Sequence, residues 1–237
     1  MPLAILQARM SSSRLPGKVL EPILGRPLIL RALERISRAQ SLDAIVVATS
    51  TDPSDDPLAE VVAAEGFLVR RGDLNDVLSR FLAVVEEFGP EDVVRLTGDN
   101  ALTDPEVIDR VVAEHLSHGA DYSSNTMPRT YPRGLDVEVV RADALRRVAA
   151  LRPDLDEREH VTMGVYRRPD QFRLHGVVQS EDRSALRWTV DYPEDLDFAR
   201  RVYAELYDDT PGFGQLDVVE LLARRPDLQR FEHEVID

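Results

Sequence analysis

Three cations, Arg9, Arg14 and Lys18, lie within one short polar stretch near the start of the chain. The stretch also contains Pro16 and Gly17, which favour a loop. Lys18 is the single lysine among the 29 lysines and arginines of the sequence. Because a lysine offers a compact point charge where an arginine offers a planar fork, its retention here predicts contact with a polyphosphate oxygen. The alternative is a solvated surface lysine in a chain that prefers arginine.

The loop does not match two common nucleotide-binding motifs. A P-loop needs a glycine five residues before its Gly-Lys pair and a serine or threonine after it, whereas Ser12 and Val19 occupy those positions. The dinucleotide fingerprint Gly-x-Gly-x-x-Gly does not follow the first predicted strand either. Phosphate binding by this loop would therefore depend on its cations.

Two aspartates, Asp99 and Asp191, each follow an apolar run that is typical of a buried strand. Strand ends of this kind are where α/β proteins place an acid that faces a nucleotide. If both runs belong to one parallel sheet, the two carboxylates converge at the same edge, where they would repel each other without a cation between them. The alternative for each aspartate is a role in a turn or a helix cap.

A second acidic pair lies in the run from Gly134 to Val140, which alternates between apolar and polar residues. This period of two predicts a strand with Asp136 and Glu138 on one face. Two acids on a core face would be unfavourable, so they are expected to face solvent or a ligand.

The elements that would position these residues alternate between strand and helix in the first half of the chain. Leu3–Leu6 is a continuous apolar run that predicts a strand buried on both faces. Further strands are predicted at 43–50, 67–70 and 92–97, and helices at 27–40, 55–66 and 73–89. Asp55 and Asp56 provide helix N-cap chemistry, as Asp73 does for the next helix.

The pattern changes after Ala120. Strands are predicted at 121–125, 134–140, 172–178 and 186–191, with helices at 156–162, 195–207 and 216–224. His115 and His118 on an earlier helix are expected at the surface. The pattern predicts a three-layer α/β fold with a mainly parallel first half, a mixed second half and a single domain over residues 1–237.

Composition limits the class of protein. The 237 residues are 43% hydrophobic and 30% charged, which is ordinary for a globular domain. A net charge of −14 argues against a nucleic-acid partner. Neither a membrane segment nor a secretion signal is indicated, and the absence of cysteine fits a cytoplasmic protein.

Several motifs resemble one known family. Gln7-Ala8-Arg9-Met10, followed by Ser13-Arg14-Leu15-Pro16-Gly17-Lys18-Val19-Leu20, is similar to the opening of the SpsF-type family. These cytidylyltransferase-like proteins, named from spore coat polysaccharide biosynthesis, are related to the acylneuraminate and KDO cytidylyltransferases. The resemblance continues in Arg71-Gly72, Asp76-Val77-Leu78-Ser79-Arg80, Thr97-Gly98-Asp99, Gly134-Leu135-Asp136-Val137-Glu138 and Glu157-Arg158-Glu159-His160-Val161-Thr162. The chain departs from the family at Ser11, where glycine is usual, and at Asn100-Ala101, where Cys-Pro is more frequent.

The resemblance implies a nucleotide-diphospho-sugar transferase-like fold and a Mg²⁺-dependent transfer of a nucleotidyl group from CTP to a sugar or sugar acid, with release of pyrophosphate, for surface polysaccharide biosynthesis. It implies catalytic roles for Arg14, Lys18 and Asp99, and a Mg²⁺ site at Asp99 and Asp191. Residues expected to contact the nucleotide are Ala8, Arg9, Met10, Ser11, Arg14, Lys18, Arg71 and Asp76. Residues expected to contact the sugar are Asn125, Asp136, Glu138 and His160. The region 119–180 is expected to be an excursion for sugar binding or oligomerisation.

Two other functions are compatible with the same residues. A glycosyltransferase that uses a nucleotide sugar would also place an acid at a strand end to bind a metal diphosphate. A non-catalytic nucleotide-binding subunit is conceivable because of Ser11 and Asn100-Ala101. The sequence leaves the acceptor sugar and the oligomeric state, including a homodimer, open.

Overall fold

The computed structural model describes residues 1–231, which form a seven-stranded sheet covered by helices and a separate two-stranded hairpin. The strands are β1 (Leu3–Gln7), β2 (Pro22–Ile23), β3 (Arg26–Pro27), β4 (Ala44–Ser50), β5 (Leu68–Gly72), β6 (Asp92–Thr97), β7 (Tyr122–Ser124), β8 (Glu138–Arg141) and β9 (Leu174–Gly176). The helices are α1 (Leu28–Ile36), α2 (Asp56–Ala64), α3 (Val77–Phe88), α4 (Pro105–His118), α5 (Ala142–Ala150), α6 (Leu155–Glu159), α7 (Met163–Tyr166), α8 (Pro193–Leu206) and α9 (Gln215–Arg224). None of the helices within residues 1–231 is long and apolar enough to cross a bilayer.

The strand order is β5-β4-β1-β6-β8-β7-β9. The first four strands of this order are parallel, β8 runs antiparallel to both β6 and β7, and β9 is parallel to β7. The predicted fold class, a three-layer α/β fold with a mainly parallel first half and a mixed second half, is confirmed.

The apolar sequence of β1 explains its central position. Leu3 and Ile5 pack into the core on one face of the sheet, and Ala4 and Leu6 pack into the core on the other. All four side chains are buried because strands and helix layers surround β1 on every side.

A cleft forms where the chain reverses its direction across the sheet. From β1 the chain next adds β4 on one side, and it later adds β6 on the other side of β1. The loops that leave the carboxyl ends of β1 and β6 therefore diverge, as at the ligand sites of open α/β sheets. Gly98 lets them approach at the base, since a Cβ there would lie 2.8 Å from that of Ala8.

The region 119–180 supplies three strands, β7, β8 and β9, to the main sheet. The predicted strand from 134 begins only at Glu138. The predicted helix 27–40 is shorter as well, because β2 and β3 form a hairpin just before α1. A sugar-binding or oligomerisation role for the region 119–180 stays a prediction.

The predicted strand that ends at Asp191 is wrong. Residues 186–191 make isolated bridges only, and their backbone N–H groups bond to separate segments of the chain. Arg187 N–H donates to the carbonyl of Arg230, and Val190 N–H donates to that of Asp99. Asp191 consequently lies in a loop before α8, yet the bond between Val190 and Asp99 still brings it to the cleft.

The surface position predicted for His115 is also wrong. Its side chain is 2% exposed, and its ring nitrogens bond to Ser123 Oγ at 2.9 Å and to Asp92 Oδ1 at 3.2 Å. His115 is buried because α4 packs directly on β7, which carries Ser123. His118 is exposed, as predicted.

Candidate functional site

The loop after β1 is anchored to β4 by a buried carboxylate. Asp55 is completely buried, and its side chain accepts hydrogen bonds from the backbone N–H of Met10 at 2.7 Å and of Ser50 at 3.1 Å. It makes no capping bond to α2, so the cap predicted for this residue is a loop anchor instead. The anchor fixes the place where the loop leaves the sheet.

The rest of the loop folds around one carbonyl group. Met10 O accepts hydrogen bonds from the N–H groups of Ser12 and Gly17, both at 2.9 Å. Gly17 has a φ of 76°, a left-handed conformation that favours glycine. Ser11 lies outside the left-handed region, so its Cβ imposes no backbone strain. Within residues 1–231 no group accepts a hydrogen bond from the N–H of Ser11 or Ser13.

Lys18 lies at the centre of a cluster with Asp99 and Asp191. Its Nζ donates to Asp99 Oδ2 at 2.9 Å, to Asp191 Oδ1 at 2.8 Å and to the carbonyl of Val190 at 2.7 Å. Burial would lower the pKa of Lys18, but the two carboxylates outweigh burial and raise it. We call Lys18, Asp99 and Asp191 the carboxylate cluster.

Further cations surround Asp191. Arg14 Nη2 lies 3.2 Å and Arg187 Nη2 lies 2.9 Å from Asp191 Oδ2. Asp195 holds this arrangement in place, because its carboxylate accepts from Arg187 and from the backbone N–H groups of Asp191 and Tyr192. Burial would raise the pKa of Asp191, but Lys18 and then Arg14 reverse that effect and lower it.

The expected repulsion between Asp99 and Asp191 in an empty site is therefore wrong. The sequence argument considered the two acids alone, whereas the fold places the ammonium of Lys18 between them. Among residues 1–231, no group of three or more His, Asp or Glu side chains could hold a metal ion by itself. Any metal here would need oxygen ligands from a substrate in addition to the two carboxylates.

Two further arginines, Arg9 and Arg80, line the cleft. Arg9 Nη2 pairs with Glu159 at 3.2 Å, and both side chains are more than one third exposed. Arg80, on α3, is 4% exposed, and no group in residues 1–231 accepts a hydrogen bond from its Nε or Nη1. We call Arg9 and Arg80 the arginine pair.

Both groups line one cavity of about 300 Å³ at the carboxyl edge of the sheet. Its floor includes Gln7, Ala8, Thr97 and Gly98, and its outer wall includes Glu159 and the exposed ring of His160. The structure thus brings together six of the predicted site residues: Ala8, Arg9, Arg14, Lys18, Asp99 and Asp191, with His160 at the wall.

Three of the four residues predicted to contact a sugar bond to other parts of the protein, namely Asn125, Asp136 and Glu138. Asn125 is completely buried, with its amide bonded to the backbone of Leu135 and Val137. Asp136 forms a bidentate ion pair with Arg129. These contacts give both side chains a role in holding the fold, and neither lines the cavity.

Glu138 belongs to a polar row that crosses the sheet. Its carboxylate pairs with Arg95 and accepts from Tyr122 Oη and Thr162 Oγ1, both at 2.6 Å. Burial and then the charge of Glu138 raise the pKa of Tyr122 well above its usual value. At the other end of the row, Arg95 Nε donates to Gln7 Oε1 at 3.0 Å, which orients the Gln7 amide at the cavity floor.

Four of the eight predicted nucleotide contacts do not line the cavity: Met10, Ser11, Arg71 and Asp76. Arg71 donates to the carbonyl of Ser50 at 2.7 Å and pairs with Asp56 at 2.6 Å, which turns it towards α2. Asp76 is the N-cap of α3 and pairs with Arg158. The N-cap of this helix was expected at Asp73, whose side chain instead accepts from the N–H of Asp76.

The sequence analysis did not identify every residue of the site. Arg187 carried no signal, whereas the helix start Pro193-Glu194-Asp195 indicates a cap at Asp195, which its bond from the Tyr192 N–H matches. The support that Arg187 and Asp195 give to Asp191 appears only in the folded structure. Arg80 carried one signal, since it ends the Asp76-Val77-Leu78-Ser79-Arg80 block of the family resemblance. Its burial without a partner appears only in the folded structure.

The sequence is similar to that of known cytidylyltransferases. A family model described as cytidylyltransferase matches residues 3–220. The chain is 34% identical over 232 residues to the spore coat polysaccharide biosynthesis protein SpsF of Bacillus subtilis, covering 95% of each chain. It is also 34% identical over 164 residues to an 8-amino-3,8-dideoxy-manno-octulosonate cytidylyltransferase of Shewanella woodyi, covering 67% of this chain and 58% of that protein.

A solved structure matches along the whole chain. A cytidylyltransferase from Leptospira borgpetersenii superimposes with a TM-score of 0.92 at 28% identity, and the match covers 100% of this chain and 99% of the other.

Proposed function

The chain belongs to the cytidylyltransferase family, and on that premise we propose that it transfers the cytidylyl group of CTP to a sugar or sugar acid, with release of pyrophosphate. The observation that carries the proposal is the carboxylate cluster, in which Lys18 Nζ lies within 3 Å of both Asp99 and Asp191 at the switch point of the sheet.

In this reaction an acceptor oxygen attacks the α-phosphorus of CTP. The new P–O bond forms as the bond between the α-phosphorus and the bridging oxygen breaks, and pyrophosphate leaves with that electron pair. The acceptor hydroxyl gives its proton to water, so the products are the CMP-sugar, pyrophosphate and one proton. The protein has little covalent work in such a step, so positioning and charge neutralisation dominate its contribution.

The loop cations have separate tasks in this proposal. Lys18 presents a compact ammonium to the α-phosphate, and Arg14 and Arg9 bind the β- and γ-phosphates. The unused N–H groups of Ser11 and Ser13 are suited to phosphate oxygens of the same triphosphate. Arg9 and Arg14 also stabilise the charge that develops on departing pyrophosphate.

The donor set fits Mg²⁺, with Asp99 and Asp191 as its protein ligands. Two carboxylates together with phosphate oxygens and water are the usual environment of this ion in phosphoryl-transfer sites. When bound, Mg²⁺ would neutralise charge on the phosphates and polarise the α-phosphoryl group. Lys18 must release at least one carboxylate for this site to form, since its ammonium now lies between the two.

The names of the relatives support the choice of substrates. The family description supports CTP, and the octulosonate enzyme of Shewanella woodyi supports a sugar acid as the acceptor class. Similarity to SpsF supports a product used in surface polysaccharide biosynthesis.

The test is pyrophosphate release from CTP and Mg²⁺ with a panel of neutral sugars and sugar acids. We expect release that requires an acceptor and that is greater with CTP than with UTP or ATP. Lys18→Met should abolish it, while Arg201→Met, on the exposed surface of α8, serves as the control and should not. Release of CMP or UDP from a nucleotide sugar, or CTP binding without turnover on any acceptor, would refute the proposal.

A further inference from the structure

Arg80 is the most unusual charged side chain of the cleft. It is 4% exposed, its Nε and Nη1 have no acceptor within residues 1–231, and it lines the cavity. An uncompensated buried guanidinium is unfavourable for folding, because a charge taken out of water needs a partner. Such a group is retained where a ligand supplies that partner.

The surroundings of Arg80 indicate the charge of the missing partner. Among the acids, Asp55 has the largest effect on the pKa of Arg80, but its carboxylate already accepts hydrogen bonds from Met10 and Ser50. Burial lowers the pKa of Arg80, Asp55 offsets part of this, and the second cation, Arg9, lowers it again. Asp73 and Asp76 also raise the pKa of Arg80, but both already accept hydrogen bonds from backbone N–H groups. Two guanidinium groups therefore act on the same space, and no acid in residues 1–231 accepts a hydrogen bond from Nε or Nη1 of Arg80.

The position of Arg80 within the cleft indicates which part of the nucleotide would bind it. The reacting α-phosphate is assigned to Lys18, whose side of the cleft is already neutralised by Asp99 and Asp191. With the α-phosphate at Lys18, the β- and γ-phosphates would lie along the loop residues Ser13, Arg14 and Arg9, which all line the same cavity. This path ends at the arginine pair, where the uncompensated positive charge lies.

We propose that Arg80 and Arg9 together bind the terminal phosphates of the triphosphate, and hence the pyrophosphate product. The inference rests on the proposed function and adds a phosphate-binding residue outside the loop. A neutral nucleobase edge would leave the two positive charges uncompensated.

The experiment measures binding of inorganic pyrophosphate and of CMP by calorimetry, without acceptor. Arg80→Met should weaken pyrophosphate roughly 10- to 100-fold, as expected for the loss of a charged hydrogen bond, and CMP less than threefold. Arg80→Lys keeps the charge without the fork, so it should lose roughly three- to tenfold for pyrophosphate. These losses should shrink as salt is raised.

A matched control separates binding from folding. Arg31 is also buried, on α1, but its guanidinium bonds to Ile23, Leu24 and Glu34. Arg31→Met should lower the melting temperature and leave pyrophosphate affinity unchanged. Arg80→Met should melt no lower than wild type, since it removes a buried charge without a partner. If Arg80→Met fails to fold, the stability argument is overturned. The pyrophosphate affinity of Arg80→Lys then decides whether Arg80 binds phosphate.

Three results would overturn the inference. Loss of CMP affinity with normal pyrophosphate binding would place Arg80 at the base or ribose. Unchanged affinity for both would make Arg80 part of the framework. A wild-type protein that binds neither ligand would remove the proposed function as well, whereas normal turnover with unaltered pyrophosphate binding in the variants removes this inference alone.

Discussion

The carboxylate cluster and the arginine pair line the same cavity but differ in how their charges are balanced. In the cluster, every proton of the Lys18 ammonium has an acceptor, and the carboxylate of Asp191 contacts three cations. In the pair, Arg9 has one exposed partner and Arg80 lacks an acceptor for two nitrogens.

The difference shows two ways of preparing a site for a polyanion. In the cluster every charged group already has a partner of opposite sign, so a ligand must displace an existing contact, and the position of Lys18 is fixed beforehand. The arginine pair has no internal balance, so its electrostatic attraction acts on an incoming anion directly. The first arrangement favours positioning, and the second favours affinity and a fast encounter.

The largest effect is expected from Lys18→Met, which would break the balance of the cluster. It leaves Asp99 and Asp191 without the ammonium between them, although Arg14 and Arg187 still contact Asp191, and this should destabilise the fold by about 3 kcal/mol. The free energy of unfolding in urea measures this. Mg²⁺ should recover more stability in the variant than in wild type, because the place between the carboxylates is then vacant.

Arg201→Met removes only an exposed ion pair with Asp197, so it should change stability by less than about 0.5 kcal/mol. If Lys18→Met is no more destabilised than this control, water already compensates the two carboxylates and the cluster is not a stabilising unit.

Smaller losses are expected from Asp191→Asn and Asp99→Asn. Asp191 should contribute about 2 kcal/mol and Asp99 about 1 kcal/mol, since side-chain exposure is 13% for Asp191 and 27% for Asp99 and exposure weakens an ion pair. If the two acids only repelled each other, no loss would be expected in either variant. Variants as stable as wild type in urea would mean that this repulsion dominates.

The pH dependence of stability should show the cluster as well. The pKa of Asp191 is lowered in the fold, so its contribution is present above the ordinary aspartate pKa and is lost as pH falls through the lowered value. The raised pKa of Lys18 keeps its contribution until pH rises through that raised value. The stability difference between wild type and Asp191→Asn should hence be constant from pH 6 to 8 and shrink below about pH 4. A difference that persists into stronger acid would contradict the assignment.

The sequence predicted the parts of this molecule that depend on neighbouring residues. The burial of β1 on both faces followed from the run Leu3–Leu6, and the loop followed from Pro16 and Gly17. The partners of Lys18 lie 81 and 173 residues away, and no local pattern specifies which acids meet it.

The errors have the same origin. The run before Asp191 has the composition of a strand, but its backbone bonds go to separate loops. The sugar contacts of Asn125 and Asp136 came from the family resemblance and stay a prediction, whereas their protein partners, Leu135, Val137 and Arg129, are supplied by tertiary structure that the sequence does not show. Burial without a partner, as for Arg80, is a property of the fold that composition does not encode.

The smallest effect is expected from Glu159→Gln, which tests how the charge of Arg9 in the arginine pair is balanced. The ion pair between Glu159 and Arg9 is exposed, so its loss should change stability by less than about 0.5 kcal/mol. Glu159 also competes with a phosphate for the Arg9 guanidinium. Without that competition, pyrophosphate should bind roughly two- to fivefold more tightly in calorimetry, as expected for release of an exposed pair. Glu159→Asp keeps the charge and is the control, with affinity close to wild type. Weaker binding in Glu159→Gln would mean that Glu159 holds Arg9 in its binding position, and the pair would then be organised in advance like the carboxylate cluster.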